Sequence, residues 1–170
     1  MTILTTSPQQ AMSRGERNDI MEVSFIPVIS TSIYAANDQI GGLIQLSNVV
    51  GFPGRAVALR GYSILSNTVQ TYTFSVLFFN EQPAVTSVDN GAMDVPDAEM
   101  LKFVGSTLTT AAATISLANS SISFLPPTNA PVVLMSGTTR DLWCLMRVAS
   151  GTPTFLATND VRVKLYFQKL

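Results

Sequence analysis

A period-two pattern of side chains, strictly apolar and polar in two segments, predicts three β-strands in this chain. TYTFSVLFF places four apolar side chains on one face: Tyr72, Phe74, Val76 and Phe78. LWCLMRV does so with Leu142, Cys144, Met146 and Val148, and VRVKLYFQ with Val161, Val163, Leu165 and Phe167. This period of two is typical of strands with one face in a core. Weaker strand patterns lie at 22–28, 43–50, 56–66, 104–116 and 131–135.

Turn-forming sequences separate these segments. GFPG at 51–54, PPTNAP at 126–131 and SGTP at 150–153 contain the Gly, Pro and Asn residues that reverse a chain. About eight short strands joined by such turns predict an all-β fold, an antiparallel β-sandwich of jelly-roll type. One helical turn is predicted in DVPDAEMLKFVG, with Asp97 as its cap.

The first 21 residues differ from the rest of the chain because they are polar and offer few apolar positions for packing. We therefore predict an extended N-terminal arm over 1–21 and one β-sandwich domain over 22–170. In an assembly such an arm can lie across a neighbouring subunit, and a frayed terminus is the alternative. The arm lacks the features of a secretory signal, and no apolar run reaches the roughly 18 residues of a membrane-spanning helix.

Charged residues make up 12% of the 170 residues, about half of the ~25% found in an ordinary soluble domain. A surface so poor in charge is weakly protected against association, so we expect partner chains to cover part of it. A monomer with a Ser/Thr-rich surface is the alternative. The net charge of −1 and the dispersed basic residues indicate neither a nucleic-acid partner nor a membrane partner.

The chain contains no histidine and one cysteine, so it lacks the commonest general base and the ligands of a structural zinc site. No serine lies in a Gly-x-Ser-x-Gly sequence, and no phosphate-binding glycine loop is present. We therefore predict no catalytic, cofactor-binding or metal-binding residues and no enzymatic activity. Cys144 lies in an apolar run and is predicted to be a buried small hydrophobe rather than a reactive thiol.

Carboxylates cluster once, at Asp89, Asp94, Asp97 and Glu99. Such oxygens are the ligands that calcium prefers, but their spacing does not fit a calcium-binding loop. The same carboxylates could form a glycosidase pair, although a long loop fixes neither their separation nor a sugar groove. We expect them to solvate a loop and cap a short helix, and leave cation binding open.

IYAANDQIGG, residues 33–42, has the composition of a turn but is longer than a tight hairpin requires. We interpret it as a corner leading into a core strand, with Tyr34 as an apolar anchor. Gly41 and Gly42 would allow close backbone approach. A receptor-contact loop is the functional alternative.

Three blocks resemble a family of small virion proteins of tailed phages, several of which are capsid decoration or cement proteins. The first block carries Ser32, Tyr34, Ala35, Asp38, Gly41 and Gly42. The second carries Pro83, Asp89, Asn90, Ala92, Asp97, Ala98, Lys102 and Gly105. The third carries Pro153, Asn159 and Asp160. Together they extend over about residues 28–168, and the chain departs from the pattern at 91–93 and at Pro96.

This resemblance implies a β-sandwich and a role in the virion, and it does not by itself separate capsid from tail. The first function we predict from it is a decoration or cement protein on the capsid exterior, a homotrimer bound to the major capsid protein, that stabilises the phage head. A tail or fibre-associated module, structural or glycan-binding, is the alternative, since jelly rolls also host lectins. A glycan site would need an exposed aromatic residue beside carboxylates, and only Trp143, in mid-strand, offers one.

Overall fold

Ten strands in two antiparallel sheets make up most of what the computed structural model describes, which is residues 20–69, 72–109, 114–124 and 132–170. In chain order they are β1 (Ile20–Phe25), β2 (Gln39–Leu46), β3 (Ala56–Ser66), β4 (Thr73–Phe79), β5 (Phe103–Leu108), β6 (Thr114–Ser116), β7 (Ser121–Phe124), β8 (Val132–Met135), β9 (Leu142–Ser150) and β10 (Val161–Lys169). A 3-10 helix, Glu99–Lys102, precedes β5.

The strand order is that of a jelly roll. The first sheet runs β1-β10-β3-β7-β6, with β8 pairing the other half of β3, and the second runs β2-β9-β4-β5. Strands β1 to β4 alternate between the two sheets, and so do β9 and β10. This alternation produces the double Greek key that defines the fold. The predicted fold class is therefore confirmed.

The core lies between the sheets, where the three alternating segments meet. Phe74, Val76 and Phe78 on β4 pair in register with Val148, Met146 and Cys144 on β9, and all six are buried. Val163, Leu165 and Phe167 on β10 face them from the first sheet. The rings of Phe78 and Phe167 meet edge to face across the two sheets, with centroids 6.5 Å apart. The predicted inward faces of all three strands are confirmed.

The outer side of the second sheet is also buried in part. Phe79 and Leu145 point away from the core, yet both are fully buried. The segment 80–102 between β4 and β5 explains this burial. Its two ends lie near β5, at one edge of the sheet, and its middle reaches β2, at the other edge. The Asn80 N–H donates to the Lys102 carbonyl at 2.9 Å, whereas the Gln39 N–H on β2 donates to the Gly91 carbonyl at 2.8 Å.

Several predicted boundaries differ from the structure. The segment predicted at 104–116 is two strands, β5 and β6, and the short Ser-rich strand β7 was not predicted. β2 begins at Gln39 rather than at 43, because a bulge between Ile40 and Ile44 allows the strand to continue through the glycine pair. β1 begins at Ile20, inside the predicted arm, and residues 1–19 lie outside the described part of the chain.

The predicted cap of the helical turn is wrong. Ala98, not Asp97, occupies the N-cap position, and no side chain caps the turn. Backbone carbonyls replace the cap: the Glu99 N–H donates to Pro96 at 2.8 Å, and the Met100 N–H donates to Asp97 at 3.2 Å. A 3-10 turn satisfies its first N–H groups locally in this way, so it does not require a carboxylate there.

Candidate functional site

The IYAANDQIGG corner is joined to a distant loop through Asp89. The Tyr34 hydroxyl donates to both Asp89 carboxylate oxygens, at 2.8 and 2.9 Å, and the N–H groups of Ser30 and Gly41 donate to the same carboxylate at 2.6 Å each. Tyr34 is 1% exposed, and its ring meets Phe155 edge to face. We call Ser30, Tyr34, Gly41 and Asp89 the latch.

Burial raises the pKa of Tyr34 above its usual value, and the hydrogen bond to Asp89 raises it further. The phenol therefore stays protonated and continues to donate. With three donors on one carboxylate, the hydrogen-bonding capacity of Asp89 is largely used within the protein. The role of the latch is therefore to stabilise the fold rather than to react.

Backbone hydrogen bonds extend the latch. The Asn90 N–H donates to the Gln39 carbonyl at 2.9 Å, and the Met93 N–H donates to the Asn37 carbonyl at 2.9 Å. Asp38 and Ala92 form an isolated antiparallel bridge. Residues that carry the first and second blocks of the family resemblance therefore meet in space, although the blocks are far apart in the sequence.

The corner has the structural role that its sequence suggests. The Asp38 carboxylate accepts the Ala35 N–H at 2.7 Å, and Asn37 has a φ of 76°, as expected for a turn. Gly41 has a φ of 69°, and a Cβ there would lie 2.6 Å from the Cβ of Pro27. Gly42 has open space around it, so the predicted close approach is confirmed at Gly41 and wrong at Gly42. Receptor contact by this loop stays a hypothesis.

Three of the four clustered carboxylates have separate partners, with Asp89 held in the latch. Asp94 accepts the Thr86 hydroxyl at 3.0 Å. Glu99 accepts the Ala84 N–H at 2.7 Å and pairs with Lys102 at 2.7 Å, and the Lys102 hydrogen bond lowers the pKa of Glu99. Asp97 is exposed. Across the described ranges, no group of three or more such side chains is placed to hold a metal ion.

Cys144 is fully buried between the sheets, and burial raises the pKa of its thiol to about 12. A thiol that stays protonated at neutral pH is a poor nucleophile. Its predicted role as a small core hydrophobe is confirmed.

The outer side of the first sheet, which we call the open face, is apolar at one end and basic at the other. The strand register places Ile115, Ile122, Leu65 and Arg162 in one row across β6, β7, β3 and β10. The next row contains Phe124, Ser63 and Lys164. Arg162 and Lys164 are exposed, and Ile115 is 49% exposed.

A groove of about 280 Å³ lies at this basic end, lined by Phe25 and Ile26 together with Arg162 and Lys164.

The segment 80–102, which we call the acidic segment, forms part of the surface on the second sheet. Glu81, Asp94 and Asp97 are exposed on it. Three large apolar side chains are also exposed on it: Val88 at 70%, Met100 at 40% and Leu101 at 88%. The exposure of Leu101 could not be predicted from the sequence, because this residue lies in a turn without periodicity.

No protein-family model matches the chain, and no curated protein sequence matches it. Among solved structures, a chain of Desmodium yellow mottle tymovirus is 11% identical, covers 91% of this chain and 82% of its own, and has a TM-score of 0.27. A chain of Turnip yellow mosaic virus is 14% identical, with 89% and 93% covered and a TM-score of 0.27. A chain of the heated full particle of Israeli acute paralysis virus is 10% identical, with 99% and 81% covered and a TM-score of 0.28.

These three structures come from plant and insect viruses rather than tailed phages. At such TM-scores the likeness carries no argument about function, and the tailed-phage resemblance remains a prediction. Within the described residues, no helix has the length and apolar character needed to cross a membrane.

Proposed function

We propose that the protein is a virion structural protein that binds the outside of a tailed-phage head as a decoration or cement protein. Its partner would be the major capsid protein, and its oligomeric state a homotrimer. The three-block sequence resemblance suggests this role, and the jelly-roll fold is compatible with it. The protein would act through contact area rather than through a reaction.

The observation that carries the proposal is the number of large apolar side chains exposed on a surface with little charge. Leu101 is 88% exposed, and Val133 and Met135 on β8 are 53% and 55% exposed. Charged residues are only 12% of the chain. Contiguous apolar patches on soluble proteins mark surfaces that bind other proteins. A surface of this kind therefore favours a subunit of an assembly.

Three groups that could support chemistry are engaged within the protein. Asp89 is held in the latch, Glu99 pairs with Lys102, and the Cys144 thiol is buried. A cement role needs no reactive group. Many modest contacts repeated around a shell add up to high avidity.

The N-terminal arm would add to this binding. Its backbone donors and acceptors can extend an exposed strand edge on a neighbouring subunit. Because β1 begins at Ile20, deletion of residues 1–19 leaves every described strand intact.

Binding to purified heads that lack the protein tests this proposal. Full-length protein should co-sediment with the heads and raise their resistance to heating. The variant lacking residues 1–19 should fold normally but show lower occupancy or a smaller gain in heat resistance. If full-length protein does not bind heads, the cement role is wrong. If both proteins bind and stabilise equally, clamping by the arm is wrong.

A glycan-binding or fibre-associated module is the second candidate, and the surroundings of Trp143 favour it. Trp143 is half-buried at the second position of β9, rather than in mid-strand as predicted, and pairs in register with Gln45, whose amide donates to the Asp141 carboxylate at 2.8 Å. An aromatic ring beside an amide–carboxylate pair is the kind of surface that binds sugars. Glycan-array binding that is lost in Trp143→Ala would support this candidate, and absence of binding would exclude it.

A further inference from the structure

The two outer faces of the sandwich are complementary in charge. Among the described residues, the open face of the first sheet presents Arg60, which donates to the Gln168 side chain, and Arg162 and Lys164. The described carboxylate on this face is Glu22, which pairs with Lys164 at 2.9 Å. The acidic segment presents exposed carboxylates at Glu81, Asp94 and Asp97, and its one cation, Lys102, is already paired with Glu99. The chain as a whole has a net charge of only −1. The two surfaces therefore carry net charges of opposite sign.

The two surfaces also offer complementary shapes. Leu101 projects from the 3-10 helix and is 88% exposed, with Asp97 four residues before it. On the open face, the groove of about 280 Å³ is lined by Ile26 and bordered by Arg162 and Lys164, and Phe25, which packs against the core, also lines it. An apolar side chain accompanied by a carboxylate matches an apolar groove bordered by cations.

We propose that the open face of one copy binds the acidic segment of a second copy, with Leu101 seated in the groove between Arg162 and Lys164. This proposal rests on the virion role above and deepens it by naming a second copy of the chain as a partner. The contact joins two different surfaces, so it is heterologous and builds a ring or a continuing row of subunits.

Other occupants fit these observations less well. A symmetric contact centred on the groove would place Arg162 and Lys164 opposite the same cations, which is electrostatically unfavourable. Nucleic acid would require phosphate-binding cations along the whole surface. The open face is instead apolar over β6 and β7, where Ile115 and Ile122 lie side by side.

Paired charge reversals test the contact with the full-length chain, by sedimentation velocity over a range of concentrations. Arg162→Glu with Lys164→Glu, and separately Asp94→Lys with Asp97→Lys, should each raise the dissociation constant for self-association about tenfold or more. The variant carrying all four changes has the net charge of the parent and should recover association. Leu101→Ser should weaken association without changing any charge. Association should also weaken between about 0.05 M and about 0.5 M salt.

Arg55→Glu with Arg140→Glu is the matched control, because both arginines are exposed and lie outside the two surfaces. It should leave self-association unchanged. Circular dichroism checks the fold of each variant. If the variant with Glu at 162 and 164 unfolds, the single Arg162→Glu change and the reversed acidic pair provide the test.

A parent protein that is monomeric at every concentration would overturn the proposal, as would double reversals that associate like the parent. Failure of the fourfold variant to recover would overturn the pairing of the two surfaces. Binding to capsid protein without self-association would also overturn it, while the virion role stands. If the protein self-associates through these surfaces but is absent from particles, the virion role is wrong while the contact between copies stands.

Discussion

The Tyr34 hydroxyl donates to the Asp89 carboxylate across 55 residues of sequence, at 2.8 and 2.9 Å. Asp89 belongs to the loop that covers the second sheet, and Tyr34 belongs to the corner that starts β2. This one hydrogen-bonding group therefore fixes the covering segment to the sandwich. The same group joins two of the blocks that carry the family resemblance, so residues of both blocks serve one structural role.

Asp89→Asn should destabilise the protein by about 1.5–3 kcal/mol, because it removes charge-assisted hydrogen bonds to three donors. Tyr34→Phe should cost about 1 kcal/mol, since the two N–H donors of Ser30 and Gly41 still reach the carboxylate. Urea unfolding of the single variants and the double variant measures both values. Strictly additive effects would show that the two residues do not interact.

Stability should fall as pH rises above about 10. Burial is the largest cause that raises the pKa of Tyr34 and of Tyr72 above the usual 10.0. The folded protein then holds phenol protons that the unfolded chain releases, so this stabilisation is complete below pH 10 and is lost above it. Each phenol contributes a slope of at most about 1.4 kcal/mol per pH unit.

Urea unfolding between pH 8 and 11 measures this loss, and Tyr34→Phe is the comparison because it removes one of the phenols. The variant should show a shallower decline than the parent. Identical declines would mean that Tyr34 titrates normally in the folded protein.

Gly41→Ala should destabilise more than Gly54→Ala. Both glycines have positive φ, 69° and 71°, so alanine is strained at either position, at a cost of order 1 kcal/mol. Only at position 41 would the added Cβ also meet another atom, the Pro27 Cβ at 2.6 Å, whereas the space at Gly54 is open. Equal losses in thermal unfolding would mean that Pro27 moves away freely.

Phe74→Ala should cost about 3–5 kcal/mol, because this side chain is 1% exposed and its loss leaves a cavity between the sheets. Leu101→Ala, at an 88% exposed position, is the control and should change stability by less than about 0.5 kcal/mol. Chemical denaturation gives both values. A loss below about 1 kcal/mol for Phe74→Ala would contradict the strand register, since a slip of one residue exchanges the faces.

Alternation made the core predictable, and sequence reasoning missed strands whose inward residues are polar and residues that a distant loop covers. The inward faces of β4, β9 and β10 follow directly from period two, as Phe74, Cys144 and Val163 illustrate. β7 was missed because SISF alternates serine with apolar residues and its serines face inward. The burial of Leu145 also could not be predicted from the local sequence, because it depends on a loop from elsewhere in the chain.

The latch could be predicted only in part. Asn, Asp and Gly signalled a turn at residues 37–42, and Tyr34 was predicted as an anchor. Its partner Asp89 was instead grouped with Asp94, Asp97 and Glu99 because they are neighbours in sequence. No local pattern indicates which distant backbone N–H groups will reach a carboxylate, so the structure was needed to separate Asp89 from the other three.

The location of the protein in the intact particle tests the central claim most directly. Electron cryomicroscopy of particles made with and without the protein should show a difference density on the outer surface of the head. That density should fit the two-sheet sandwich and contact the major capsid protein. Difference density confined to the tail or fibres, density inside the shell, or no difference at all would contradict the account.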